Sequence, residues 1–124
     1  MTGGASSSIY NHMVLHQAQT DALFRALADA TRRDIVARVL VAEQTVSALA
    51  ARYAMSFAAV QKHVAVLERA ELVSKHRVGR EARVRGNVAT LKRASALLAQ
   101  LERVWRDRFA QIDDLIPPLD PGEG

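Results

Sequence analysis

Apolar residues in this 124-residue chain follow two rhythms. From Thr20 to Leu72 they recur every three or four residues, the spacing that lines up one face of an α-helix. Leu23, Phe24 and Leu27 mark a first helix, and Ile35, Val36, Val39 and Leu40 a second. Asp29 or Thr31 can cap the second, since a short side-chain oxygen can accept from an unpaired amide of the first turn. Glu43-Gln44 reads as a connection. Thr45 then caps a short third helix that buries Val46, Leu49 and Ala50. Tyr53-Ala54-Met55 forms a tight link, and Ser56 caps a fourth helix with Val60, Val64 and Leu67 inward and Ala59 beside them.

After Leu72 the period drops to two. Val73, Lys75 and Arg77 alternate with Ser74, His76 and Val78, Gly79-Arg80-Glu81 turns, and the chain returns from Ala82 to Arg85. This is a β-hairpin with glycine in its loop. Helical spacing then resumes at Leu91, Ala94, Leu98, Leu101, Trp105, Phe109, Ile112 and Ile116 until Pro117-Pro118. A helix of about 27 residues spans ~40 Å, long for one small domain. Part of its stripe therefore needs a partner, most simply a second copy of the chain. Leu98, Leu101, Trp105, Phe109 and Ile112, with Leu23 from the first helix, are the candidate dimer-interface residues. The other arrangement is a terminal helix folded back on its own domain.

Composition narrows the picture. Half the residues are apolar (49%) and few are aromatic (5%), so the chain is globular with a core of Ala, Leu and Val. No apolar run reaches membrane-spanning length and no secretory signal is visible, so a cytoplasmic location is expected. Without cysteine there are no disulfides, thiolate ligands or cysteine nucleophiles. "MTGGASSSIYNHM" reads as a vector-derived remnant over residues 1–12, or as a disordered arm. Residues 13–116 then form the domain, with 117–124 a flexible tail.

Charge is distributed unevenly. The net charge is +4, yet Leu72–Arg93 holds seven cations (Lys75, Arg77, Arg80, Arg83, Arg85, Lys92 and Arg93) against Glu81 alone. Such a patch is the footprint expected of a phosphate-binding surface. A hairpin kept soluble by charge would look similar in isolation. Here it directly follows a short helix, a tight link and a second helix, the order of a helix-turn-helix. With Val60, Val64 and Leu67 buried, Ala58, Gln61, Lys62 and Ala65 share the outer face. Gln61 suits adenine, and Lys62 suits guanine or a phosphate. Phe57 and Ala58 can touch thymine methyls. Ser56 sets the helix start that enters the groove, over a recognition segment 56–70. Arg77, Arg80, Arg83 and Arg85 of the wing, 73–86, would meet phosphates or the minor groove. Alternate strand residues face opposite sides, so one DNA surface cannot take all four. Arg80 at the tip is the first choice.

"ALADATRRDI", "MSFAAVQKHVAVLERAELV" and "RVGREARV" resemble the ArsR family of bacterial winged-helix repressors, over nearly all of Thr20–Ile116. The resemblance implies a mainly helical winged helix-turn-helix fold, a small β-hairpin and a long C-terminal dimerisation helix. It also implies a homodimer that binds a palindromic operator in double-stranded DNA and blocks transcription. "LERVWRDRFAQIDDL" is similar to a subgroup whose last helix carries a tryptophan. The sequence departs from the family at Ala30, usually proline, at Glu71, usually glycine, at Gln61, often serine, and near Arg83, often tyrosine. If Glu71 is left-handed, it costs on the order of 1 kcal/mol. His63 matches a common family histidine and reads as a phosphate or base contact or as a packed polar residue.

No metal site is expected. The family's cysteine pairs are absent, the last helix has Glu102, Asp107, Asp113 and Asp114 but no histidine, and His16, His63 and His76 are scattered. Neither a catalytic constellation nor a glycine-rich phosphate loop is present, so no enzyme and no cofactor are expected. The sequence does not reveal a small-molecule effector; a pocket for one between the first and last helices would be lined by Leu23, Leu27, Leu98 or Trp105, and a packed dimer core is the favoured use of these residues. The alternative to a DNA-binding regulator is a helical protein-interaction adaptor, which has no need of four wing arginines.

Overall fold

The computed structural model describes residues 17–115, with side-chain burial given through residue 112. The expected N-terminal remnant at 1–12, His16 and the expected tail at 117–124 lie outside the described residues. Helix α1 occupies 17–27 and α2 Ala30–Val41; then come β1 (Gln44–Thr45), α3 (Val46–Ala50), α4 (Phe57–Arg69), β2 (Val73–Val78), β3 (Glu81–Gly86) and α5 (Val88–Leu115). The described chain divides after Leu91 into two compact units.

Caps set the helix boundaries of the first unit. Asp29, rather than Thr31, caps α2, its carboxylate accepting from the Arg32 amide at 3.0 Å. This bond is the main reason the Asp29 carboxyl titrates below its ordinary value. Thr45 caps α3 through the Ala48 amide, and Ser56 caps α4 through the Ala59 amide at 3.1 Å. The end of α4 is a Schellman motif: the Leu72 amide reaches back to the Leu67 carbonyl and the Glu71 amide to Glu68. Glu71 is left-handed with φ 61°, as its place in the family's glycine position implied. Its carbonyl is held by Asn87 Nδ2 at 2.9 Å and Thr90 Oγ1 at 2.6 Å.

The sheet differs from the expected hairpin. Gln44-Thr45 is a short strand rather than a connection, paired antiparallel with β3, which gives the order β1-β3-β2. The hairpin turn is the two-residue Gly79-Arg80, closed by Val78 opposite Glu81. Gly79 has φ +63°, as the first central position of a type II′ turn requires. Gly86 ends β3 close to α2, where an added Cβ would stand 2.7 Å from Leu40 Cδ2. Beneath this sheet Ile35, Val39, Val46, Leu49, Val60, Val64, Leu67, Leu72 and Val84 form a buried aliphatic core, as expected of a chain poor in aromatics.

Helix α5 keeps the expected stripe on a 28-residue helix. Leu98, Leu101, Trp105, Phe109 and Ile112 are 45–62% exposed. Trp105 and Phe109, one turn apart, stack with centroids 5.2 Å apart. Leu23, grouped with them at the sequence level, is instead only 6% exposed within the single chain, because α1 turns it inward.

Candidate nucleic-acid interface

The site is built on α3, the link after it, and α4. Backbone bonds from Ala51, Arg52 and Tyr53 continue the last turn of α3, which leaves Tyr53-Ala54-Met55 as the true link. That link is tied to α2. Tyr53 donates its hydroxyl to Asp34 Oδ2 at 2.5 Å, and Arg38 Nε donates to the same oxygen at 2.8 Å. The bonds from Tyr53 and then Arg38 hold the Asp34 carboxyl below its ordinary value. Burial, and then the bond to Asp34, push the Tyr53 phenol up. Sequence reasoning missed this brace. Its partners lie nineteen residues apart, and no local pattern joins them.

Helix α4 then starts from a fixed point. Val60, Val64 and Leu67 are sealed into the core, so the opposite side must face solvent. Phe57, Ala58, Gln61 and Lys62 are exposed there. Gln61 and Lys62 make no hydrogen bond or ion pair among the described residues. Ser56 sits at the helix start with its hydroxyl used as the cap. Five predicted residues therefore share one end and one side of α4.

His63 stands apart from them. It is half-buried on the other flank of α4, with Nδ1 3.4 Å from Arg32 Nη1 and 3.9 Å from Asp29 Oδ2. Arg32 also donates to the carbonyls of Ala26 and Arg25, and Arg33 to that of Leu27. These bonds engage carbonyls of the last turn of α1, where the helical ladder runs out; the Arg25 carbonyl also accepts from the Ala28 amide at 3.2 Å. His63 thus braces the α1–α2 corner, which fits a packed polar residue better than a base contact.

The wing follows α4, and β2 packs against that helix. Strand register sorts its cations. Lys75 is opposite Val84 and Arg77 opposite Ala82, on the face whose base covers the core. His76 is opposite Arg83, and Arg85 opposite Ser74, on the other face. Arg80 is at the tip. Lys75, Arg77 and Arg80 are exposed and have no polar partner among the described residues. The second face is different. Glu43, just before β1, stands 2.7 Å from His76 Nε2, 3.9 Å from Arg83 Nη1 and 3.7 Å from Arg85 Nη2. Arg83 Nη2 also lies 3.4 Å from Glu81. Among the described residues no group of His, Cys, Asp or Glu side chains is arranged to hold a metal ion, and no helix is long and apolar enough to cross a membrane.

No family model and no curated protein matches this sequence. Solved structures do. An ArsR-like transcriptional regulator from Rhodococcus sp. RHA1 is 33% identical, with a TM-score of 0.73, over 84% of this chain and 98% of its own. The chain belongs to the ArsR family of transcriptional regulators. A second ArsR family transcriptional regulator is 30% identical over 73% of the chain and 93% of its own, with a TM-score of 0.69. The fold also matches a structure from Mycobacterium bovis described as a homodimeric winged helix-turn-helix DNA-binding domain, at 19% identity and a TM-score of 0.60 over 72% of this chain and 83% of its own. In this ArsR-family chain α3 and α4 are the helix-turn-helix, and β2–β3 is the wing. As a transcriptional regulator it is not an enzyme.

Proposed function

We propose that this ArsR-family chain is a homodimeric repressor that binds a palindromic operator through the outer side of α4 and the wing. One observation carries the reading. Gln61 and Lys62 on α4, and Lys75, Arg77 and Arg80 on the wing that follows it, are exposed with no polar partner among the described residues. Cations left unpaired beside a hydrogen-bonding helix face suit a duplex, where phosphates take the charge and base edges take the specific bonds.

The roles follow from position. The Ser56 cap aims the start of α4 at the major groove, with Phe57 and Ala58 nearest its floor. Gln61 pairs with a base edge, adenine by preference, and Lys62 with guanine or a phosphate. Arg80 reaches the minor groove or the flanking backbone. Two copies joined through the exposed stripe of α5 present two such helices to half-sites about 34–36 Å apart. A dimer seated on a promoter excludes polymerase, which is repression.

The test is a gel-shift titration of DNA upstream of the protein's own gene against a scrambled probe of equal length, at two salt concentrations. A preference of ~100-fold or more for the upstream probe supports specific repression of its own promoter. Equal binding with steep salt dependence places the operator elsewhere. No binding to either probe contradicts the proposal.

A further inference from the structure

The wing carries its positive charge on two faces, and only one face is neutralised from within. Glu43 is three-quarters shielded from solvent and stands against His76, Arg83 and Arg85. Of the two arginines, Arg83 is the more confined, at 39% side-chain exposure against 65% for Arg85. Its guanidinium lies between Glu43 at 3.9 Å and Glu81 at 3.4 Å. Its Nε is shielded from solvent with no hydrogen-bond partner. The β1–β3 pairing creates this arrangement by setting Thr45 opposite Arg83, which brings the residue just before β1 to the same face. Lys75, Arg77 and Arg80 have no such counter-ion among the described residues.

We infer that Glu43 is a positioning residue that holds Arg83 away from DNA, so that the wing meets phosphates through Lys75, Arg77 and Arg80 rather than through Arg83. This rests on the DNA-binding reading above and deepens it. Each cation withdrawn from a polyanion removes about one phosphate contact, and roughly 0.9 from the slope of log affinity against log salt. Glu43 therefore limits sequence-independent affinity, the component that competes with operator binding. Arg85 lies 3.7 Å from Glu43 but is 65% exposed, so solvent screens its pairing and it stands at the edge of the cluster.

The experiment measures salt slopes on a scrambled duplex, with circular dichroism confirming that each variant is folded. Arg77→Ala and Arg80→Ala each flatten the slope by roughly 0.9, whereas Arg83→Ala leaves it at the wild-type value. Glu43→Gln steepens it by about the same amount and raises affinity near 0.1 M salt about tenfold. Asp21→Asn makes the same change in net charge at an exposed site on α1 and serves as the control. If Arg83→Ala flattens the slope as much as Arg77→Ala, the inference is overturned. The same holds if Glu43→Gln binds no more tightly than Asp21→Asn.

Heparin retention separates the inference from the reading beneath it. Should the wild type fail to bind duplex DNA, that reading fails, and heparin still reports the masked charge. Later elution of Glu43→Gln than of Asp21→Asn sustains the masking of Arg83 by Glu43, whatever polyanion the wing meets, and co-elution of the two overturns it.

Discussion

Helices α4 and α5 carry apolar stripes that look alike in sequence and end differently in the fold. The stripe of α4, Val60, Val64 and Leu67, is completely buried within one chain. The stripe of α5 is not, and Trp105 alone is 62% exposed. Periodicity shows that a stripe must be covered, and does not say by what. In α4 the cover is the chain's own core, which leaves the opposite side free for the proposed DNA contact. In α5 the proposed cover is a second copy, so the proposed DNA-reading element is complete in one chain while its pairing is not.

The comparison breaks most sharply at its two anchor residues. Leu67→Ala opens a cavity in the sealed core and should cost about 2–5 kcal/mol, read as a loss of stability in denaturant melts. Trp105→Ala should leave the monomer's fold in place and act on association. As the central aromatic of the proposed interface it should be worth about 2 kcal/mol or more, a rise of roughly 30-fold in the dimer dissociation constant. If Trp105→Ala lowers the stability of the dilute monomer as much as Leu67→Ala does, the contrast between the helices fails.

Smaller changes sharpen the α4 side. Glu71→Gly relieves a left-handed residue at the helix end and should stabilise by about 1 kcal/mol, provided the carbonyl bonds from Asn87 and Thr90 persist. Heat melts and the distance between α4 and the wing check this together. Altered wing geometry in the glycine variant would show that Glu71 does more than end the helix.

The finest test concerns the brace on the link between α3 and α4. The Asp34 carboxyl titrates below its ordinary value of 3.8 when folded, first because of Tyr53 and then Arg38. Its contribution to stability is therefore present above that value and is lost as pH falls through the lower folded one. Tyr53→Phe keeps the ring and removes the leading cause. The variant should be less stable than wild type at neutral pH, and the gap should close in acid. Urea melts at pH 7 and at successively lower pH, continued until the folded carboxyl is protonated, follow the gap from one end to the other. A gap that persists unchanged in acid would mean that ring packing, rather than the bond to Asp34, accounts for it.

Local chemistry made much of the fold legible. Ser56 and Thr45 announced helix starts and Gly79 a hairpin turn, because caps and turns depend on a few adjacent residues; the left-handed Glu71 was signalled only by its place at a position that is usually glycine in the resembling family. The exposed outer side of α4 followed from Val60, Val64 and Leu67. What stayed hidden depends on register and long-range contact. Gln44-Thr45 is too short to show alternation and becomes a strand only because β3 offers an edge. Nothing near Arg83 in sequence reveals Glu43, forty residues earlier, as its neighbour. The Leu23 side chain belongs to a helical stripe like that of α5, and only packing shows that it turns inward.

Sedimentation equilibrium of the full chain tests the central contrast most directly. The account predicts a species of twice the 13.6 kDa chain mass at micromolar concentration, returning to the single-chain mass in Trp105→Ala with its circular dichroism unchanged. A wild-type chain that stays at 13.6 kDa up to ~100 μM would contradict it, because an interface of useful size holds together well below that concentration.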